Sequence, residues 1–249
     1  MTGLIAKGQT GSFTAVAGTW ASTPPISNLG TMQIPVPYAQ VEPASNEIEF
    51  DYTADSAFDC DVIALLAHDL PVGAEITASE GSTPLAQLTV TDQRINNAVM
   101  VLPSPVNLAA ISINVTGVTT GAVTIGGFFA GRAFYGDFAS GWQSVHNSAS
   151  IVERVALTVW GTTRKSGRVI DYTIHNLTED RALGTGGGHN IQDLFAEVGN
   201  TQPVMVIPSA SSQSRIDKLH IYGTLDSGAS AYHEEGLIFG ARFTAVEMR

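Results

Sequence analysis

Residues 186–208, GGGHNIQDLFAEVGNTQPVMVIP, combine a glycine-rich lead-in, one short helix, a turn and an apolar strand that ends on proline. Asn190 is a good N-cap and Gly199 a good C-terminal stop, which predicts a helix over 190–199. A helix of this length is marginal alone in water, so we expect one apolar face to dock on a sheet. That face consists of residues at the spacing i, i+3, i+4 and i+7: Ile191, Leu194, Phe195 and Val198.

Outside this segment the sequence predicts strands and turns, with no second convincing helix. Residues 48–52 and 111–116 alternate apolar and polar side chains, as half-buried strands do. Residues 62–67 are a continuous apolar run of strand length, which is typical of a strand covered on both faces. Proline and glycine turns separate these runs. The pattern predicts a mainly β fold with two antiparallel β-sandwich or jelly-roll-like domains, the second carrying the short docked α-helix.

The predicted organisation has three parts. Residues 1–132 form an acidic, jelly-roll-like β-sandwich, 133–150 an aromatic-rich connector, and 151–249 a C-terminal β-domain that contains the helix. The connector has too many aromatic side chains for a free linker, so we expect them to pack between the two domains. Large aromatic side chains often carry interface energy. The predicted interface or packing residues are Phe134, Tyr135, Phe138, Trp142, Trp160 and Tyr172.

Charge is scarce and unevenly distributed. The 249 residues carry a net charge of −11, and only 14 % of them are charged, against about 25 % in an average soluble protein. Through Gln93 there are one basic and eleven acidic residues, which leaves eleven basic and twelve acidic residues for the remainder. An acidic first third argues against nucleic acid or an anionic membrane as a partner. A poorly charged surface suits a protein that buries much of its exterior against other proteins.

Two further features narrow the class of protein. The single cysteine, Cys60, allows no intrachain disulfide, and it precedes an apolar run in which we expect it to be a buried small side chain rather than a nucleophile. The N-terminal residues MTGLIAKGQTGSF lack the continuous apolar core of a signal peptide, and no stretch approaches the ~20 apolar residues of a membrane span. We therefore expect no membrane partner.

Two histidine-containing groups invite a chemical interpretation, and a structural one is favoured for both. His68 and Asp69 are neighbours at a strand end, where adjacent side chains point to opposite faces and do not act together easily. The run 233–235, His-Glu-Glu, lacks the two histidines at i and i+4 on a helix that a zinc protease needs. It is expected at the tip of a solvated loop over 227–236.

Two other groups resemble ligand sites only loosely. The clustered aspartates lack the spacing of a calcium loop, although calcium stays open as an alternative: Asp51, Asp55, Asp59 and Asp61. The glycines at 186–188 precede a helix, but no Lys-Ser/Thr follows them, so a mobile lead-in is expected rather than a phosphate cradle. The sequence therefore predicts no catalytic residue, no metal ligand and no cofactor.

The second half of the chain resembles a module of minor structural proteins of tailed bacteriophages. The resemblance covers about 100 residues and follows the order of short strings: Trp160 with the basic turn Arg164 to Arg168, DYTI at 171–174, NLTE at 176–179, the helix, QPVMVIP at 202–208, LHIYGTL at 219–225 and Glu247. This arrangement is similar to the β-sandwich-plus-helix module of distal-tail and baseplate proteins.

The first half is similar to the galactose-binding-like jelly rolls that are fused to such modules. The strings that carry this resemblance are the acidic strand 47–51 and ALLAHDL at 64–70, followed by Pro-Val-Gly-Ala. Asp69 stands where the family pattern has asparagine. Many of these jelly rolls serve as spacers or docking surfaces, so the resemblance does not imply sugar binding.

The resemblance implies a non-enzymatic structural component of a virion, in the tail tip or baseplate, made in the host cytoplasm. It would act by assembly with copies of itself around a symmetry axis and with other tail and baseplate proteins. One alternative is a carbohydrate-binding module for host surface glycan, which needs an exposed aromatic such as Trp20, Tyr38 or Tyr52. A second is a tail-associated glycan hydrolase, which needs two convergent carboxylates that the sequence does not identify.

Overall fold

The computed structural model describes residues 2–30, 39–92, 97–119, 121–138, 143–147, 151–155, 158–162, 167–186, 189–226 and 228–248. Within these ranges the chain forms antiparallel strands and short helices, and the predicted mainly β class is confirmed. The first strands are β1 (Thr2–Gly8), β2 (Gly11–Ala17), β3 (Thr19–Trp20), β4 (Ala39–Glu42), β5 (Glu47–Leu66), β6 (Glu75–Glu80), β7 (Thr83–Thr89), β8 (Ala98–Thr116) and β9 (Val123–Ile125). A 3₁₀ helix lies at Ile26–Gly30.

The later strands and the helices are β10 (Gly127–Phe138), β11 (Gln143–Asn147), β12 (Ile151–Val155), β13 (Thr158–Thr162), β14 (Gly167–Leu177), α1 (Glu179–Leu183), α2 (Ile191–Val198), β15 (Pro203–Ile207), α3 (Gln213–Leu219), β16 (Ile221–Leu225), β17 (Ser230–Glu235) and β18 (Ile238–Glu247).

Two long strands organise the first half. The 20-residue β5 pairs with β8 along most of its length, and the register shifts between Thr53 and Phe58 and between Cys60 and Val62. Such irregularities bend strands and increase their twist. β2 and β10 continue the sheet beyond β5, and β6 and β7 continue it beyond β8. We call these strands the N-terminal sheet; its core also takes side chains from the small sheet β3–β4–β9.

The second half contains a closed ring of six strands. β10 pairs with β1, β1 with β15, β15 with β16, β16 with β18, β18 with β14, and β14 pairs back with β10, all antiparallel. We call these six strands the strand ring. Every one of them contributes buried side chains to a single apolar cluster, so the interior of the ring is a packed core.

The N-terminal sheet and the strand ring share strand β10 and contribute side chains to one further apolar cluster. β10 belongs to both, and its register with β5 covers 127–131 while its register with β1 covers 131–137. On β1, Ile5 points into the ring, whereas Leu4 and Ala6 join a second cluster against β5, β8 and β10. The two halves are therefore joined by a continuous apolar interface.

This architecture differs from the predicted division of the chain. β10 runs without interruption across the expected boundary at 132/133, so residues 133–138 lie in a strand and not in a connector. β1 lies in the predicted N-terminal domain by sequence but forms part of the strand ring. The hydrophobic pattern could not indicate this, because it shows how buried a strand is and not which strand it pairs with.

The helices agree only partly with prediction. α2 begins after Asn190, whose side chain accepts a hydrogen bond from the Asp193 amide, and ends at Gly199, so the predicted capped helix is confirmed. Its apolar stripe is buried on the strand ring. The prediction of a single helix was wrong, since α1 and α3 are also present; the serine-rich run 209–214 suggests a loop, but Gln213 begins α3.

Candidate functional site

Three of the predicted packing aromatics lie in the core of the strand ring. Phe138 packs edge-on against Tyr172, with 5.5 Å between the ring centroids, and both contact Phe243. Phe134 is also buried, with the Arg181 guanidinium 4.7 Å from its ring centroid. These side chains hold the ring together from inside and are unavailable to a partner.

The other predicted aromatics differ in position. Tyr135 is half-buried where the ring meets the N-terminal sheet, and its hydroxyl donates to Asp61 at 3.1 Å. Trp142 lies outside the described residues. Trp160 lies on β13 opposite Glu153, and only its place in this strand pairing is described.

Asp61 is a buried carboxylate that sequence analysis did not distinguish from its acidic neighbours. It is 1 % exposed, and its second oxygen accepts the Ala133 amide at 2.9 Å. It is the only one of the four aspartates considered for calcium that is buried. Both its oxygens bind β10, so Asp61 fixes β5 to β10 at the point where β10 passes into the ring. This role is structural.

A second polar contact joins β14 to β18, which are neighbouring strands of the ring. Arg168 on β14 pairs with Glu247 on β18 through two hydrogen bonds, from Nε at 3.1 Å and from a terminal nitrogen at 2.7 Å, and the Arg168 amide binds the other carboxylate oxygen. The same guanidinium donates to the backbone carbonyls of Lys218 and His220. Both guanidinium nitrogens donate to the same Glu247 oxygen, and the further hydrogen bonds of the guanidinium to the two carbonyls fix the C-terminal end of α3 to the ring.

α3 carries a hydrogen-bonded junction to the N-terminal sheet. The Asn97 side chain contacts His220 at 3.1 Å and accepts the Ala67 amide at 2.8 Å. Gln213 on α3 donates to the Val99 carbonyl of β8 at 2.9 Å. A small cavity of ≈ 20 Å³ lies beside it, lined by residues that include His68, Asn97 and Asp217.

His68 and Asp69 do not act together, as predicted. His68 is buried and its Nδ1 accepts the Leu70 amide, while Asp69 is exposed and accepts the Thr124 amide. Burial lowers the pKa of His68 to about 4, so the side chain is neutral at pH 7. Both residues fix the chain after β5.

The β17–β18 hairpin presents the largest apolar exposure at a turn. The two strands are joined by the two residues Gly236 and Leu237, and Gly236 has the left-handed φ of 60° that this turn needs. Leu237 is 78 % exposed, and Ile238 and Tyr232 are also exposed. We call these three side chains the hairpin surface. Their neighbour α1 contacts both strands and ends at exposed Leu183.

β17 is an edge strand. It pairs with β18, and among the described residues no strand pairs with its other side. The run 233–235 lies in this strand, so its prediction as a loop tip was wrong. Glu234 binds His175 on β14, which lowers the Glu234 pKa. The Glu-Glu-Gly-Leu-Ile order was a usable sequence signal for an exposed apolar turn, but it was not recognised as one.

The remaining candidates have structural places. Cys60 is buried, as predicted, and burial raises the pKa of its thiol to about 12. Tyr52 is 1 % exposed and Trp20 is partly buried against the same core, so both serve packing; Tyr38 lies outside the described residues. Of the glycines at 186–188, Gly186 donates its amide to Asp180, and the other two lie outside the described residues.

The chain matches no family model and no curated protein sequence. Over the described ranges, no three histidine, cysteine or acidic side chains are grouped so that they could hold a metal ion. No helix among those described is long and apolar enough to cross a membrane.

Proposed function

We propose that this protein is a structural component of a bacteriophage virion, in the tail tip or baseplate, and that it acts by protein–protein assembly. The observation that carries the proposal is the hairpin surface beside the edge strand β17, in which Leu237 and Ile238 are 78 % and 45 % exposed. Exposed apolar groups beside an unpaired strand edge are a liability in a monomer.

The rigid joining of the two halves supports a building-block role. β1 and β10 are shared between the two cores, and the buried Asp61 carboxylate binds β10 at the shared position. A unit of this kind presents its surfaces in a fixed relative orientation, which assembly requires. The resemblance of the motif order to distal-tail and baseplate modules supports the proposed location in the virion.

The first partner assigned to the hairpin surface is a second copy of the chain. If β17 pairs antiparallel with β17 of a second copy, the unpaired backbone N–H and C=O groups on both strand edges form hydrogen bonds. Closed symmetric homo-oligomers are also the commonest assemblies. Other tail and baseplate proteins would bind elsewhere on the oligomer. Of the aromatic side chains considered for glycan binding, Tyr52 is buried in the core and Trp20 is partly buried against it, so neither supports that alternative.

The oligomer is tested by light scattering on the eluting peak in size-exclusion chromatography across a range of concentrations. Wild type is expected above the monomer mass of 26.1 kDa, and the double variant Leu237→Ser/Ile238→Thr at that mass. Val72→Ser removes an apolar side chain that is 58 % exposed from a turn of the N-terminal sheet and serves as the matched control. Equal masses for wild type and the double variant would refute the role of the hairpin surface.

The location in the virion needs a separate test. Gold-labelled antibodies against the purified chain should bind the distal end of the tail in particles produced by the phage that encodes it. Labelling of the head, or of no part of the particle, would contradict the location even if the oligomer were confirmed.

A further inference from the structure

Two hydrogen bonds, one buried and one part-buried, fix the protonation state of His220 at the junction between α3 and the N-terminal sheet. His220 is 4 % exposed, and its Nδ1 lies 2.8 Å from the Ile216 carbonyl oxygen. A carbonyl only accepts, so Nδ1 carries the proton. Nε2 lies 3.1 Å from the Asn97 amide nitrogen, which only donates, so Nε2 is the acceptor of a neutral imidazole.

The orientation of Asn97 is fixed from its other side. The Ala67 amide donates to Asn97 Oδ1 at 2.8 Å, which leaves the Asn97 nitrogen for His220. Ala67 has a left-handed backbone with φ of 48°, so this hydrogen bond also holds an unfavourable turn after β5. Rotating the Asn97 amide would place two donors against each other at Ala67. The three residues therefore form a chain that admits one arrangement.

We propose that the hydrogen bond from Asn97 to His220 is a pH-sensitive latch, which holds α3 on the N-terminal sheet at neutral pH and opens when acid protonates His220. Protonation puts a hydrogen on Nε2, directly opposite the Asn97 amide hydrogens. Whichever way Asn97 is turned, one donor then faces another donor in a part-buried site. The protonated form is accommodated only if α3 moves away from β8.

The charged groups around His220 act in both directions. Arg168 on β14, which also binds the His220 carbonyl, disfavours the protonated ring. Glu247 on β18 and Asp217 on α3 favour it, but burial outweighs them and lowers the His220 pKa. On the other side of the junction, the cavity is lined by His68, which is also buried, and by Asp92.

The opened state is limited in extent. α3 is attached to the sheet by Gln213, which donates to Val99, and by Ile216, which packs in the apolar interface. The strand ring itself is closed by pairing that does not involve α3. Acid is therefore expected to release α3 and the turn at Ala67 while the ring stays folded.

The test is amide hydrogen exchange of α3 and Ala67 as a function of pH, with rates corrected for the intrinsic pH effect. It is made on the His68→Gln protein, which serves as the reference. In this protein the second buried histidine adds no pH dependence to the exchange rates. Below the ordinary histidine pKa of about 6.5, protection should fall by about tenfold per pH unit, the limit for one proton taken up on opening. Amides of β15 in the ring should not follow.

Two further variants determine the cause. His220→Gln has no titrating ring and should show protection independent of pH in this range. Asn97→Asp keeps an acceptor for Ala67 and supplies one for protonated His220, so the dependence should reverse and protection should increase as pH falls. His233→Gln removes an exposed histidine on β17 and should behave like the reference.

A measurement on the unmodified protein keeps the proposal testable if a variant does not fold. Proton NMR of the His220 ring should show a neutral histidine until α3 loses protection, with both changes at the same pH. The proposal is overturned if His220 titrates while α3 stays protected, or if His220→Gln loses protection with the same slope as the reference.

Discussion

Replacing Tyr172 with phenylalanine should stabilise the protein. Tyr172 lies inside the strand ring with 1 % of its surface exposed, and its hydroxyl makes no hydrogen bond to any residue that the structure describes. A buried donor without a partner costs about 1–3 kcal/mol relative to its hydrated state in the unfolded chain. The phenylalanine ring would keep the contacts with Phe138 and Phe243, whose centroids lie 5.5 and 5.3 Å away.

The expected gain is therefore about 1 kcal/mol or more in the free energy of unfolding, which corresponds to a rise of about 2–4 °C in Tm for a chain of this size. Tyr135→Phe is the matched control, since its hydroxyl donates to the buried Asp61 carboxylate at 3.1 Å. That variant removes a hydrogen bond to a charged group and should lose about 1–2 kcal/mol.

Urea unfolding followed by intrinsic fluorescence gives the change in the free energy of unfolding for both variants from their midpoints. This holds if the dependence of that free energy on urea concentration is unchanged. A Tyr172→Phe protein that is less stable than wild type by about 1 kcal/mol would refute the reasoning. It would mean that the hydroxyl has a partner inside the ring, such as an ordered water molecule.

Three further predictions address the helix caps, the cysteine and the buried histidine. Asn190→Ala should lower the free energy of unfolding by about 1–2 kcal/mol, because the side chain caps α2, whereas Ser212→Ala at the start of α3 should change it little, since Ser212 makes no side-chain cap hydrogen bond; urea midpoints compare the two. Cys60 should resist a thiol reagent at pH 8 in the native protein and react fully in denaturant, because burial raises its pKa to about 12; rapid native reaction would contradict its buried position. The pKa of His68 is lowered to about 4, so as pH falls below 6.5 the unfolded chain binds a proton that the folded chain does not, and stability should fall by about 3 kcal/mol between pH 6.5 and 4; His68→Gln should abolish that part of the slope.

The features that were predicted correctly depend on neighbours in sequence. The α2 caps, its apolar stripe and the buried strand Pro203–Ile207 were all predicted because their signals are local. The 62–67 run was correctly predicted to be covered on both faces, and Val62 to Leu66 are at most 1 % exposed. α3 was missed because serines precede it and a single apolar residue, Ile216, docks it.

The polar contacts that matter most join residues far apart in the chain. Asn97 and His220 are separated by 123 positions and Arg168 and Glu247 by 79, so no spacing rule could pair them. Arg168 and Glu247 do occur in the strings that resemble tail modules, but nothing in those strings indicates that they bind each other. Burial distinguishes Asp61 from its acidic neighbours, and burial of one carboxylate in an alternating strand depends on which strand covers it.

The N-terminal strand explains why the predicted boundary does not divide the molecule. Leu4, Ile5 and Ala6 are consecutive apolar residues because the two faces of β1 belong to different cores, the ring interior and the interface with the N-terminal sheet. A sequence pattern of this kind indicates that both faces of the strand are buried, but it does not indicate which elements cover each face. Since β1 closes the ring between β10 and β15, the ring is complete only when the first residues of the chain are in place. The two cores are therefore joined through β1 and β10, each of which places side chains in both.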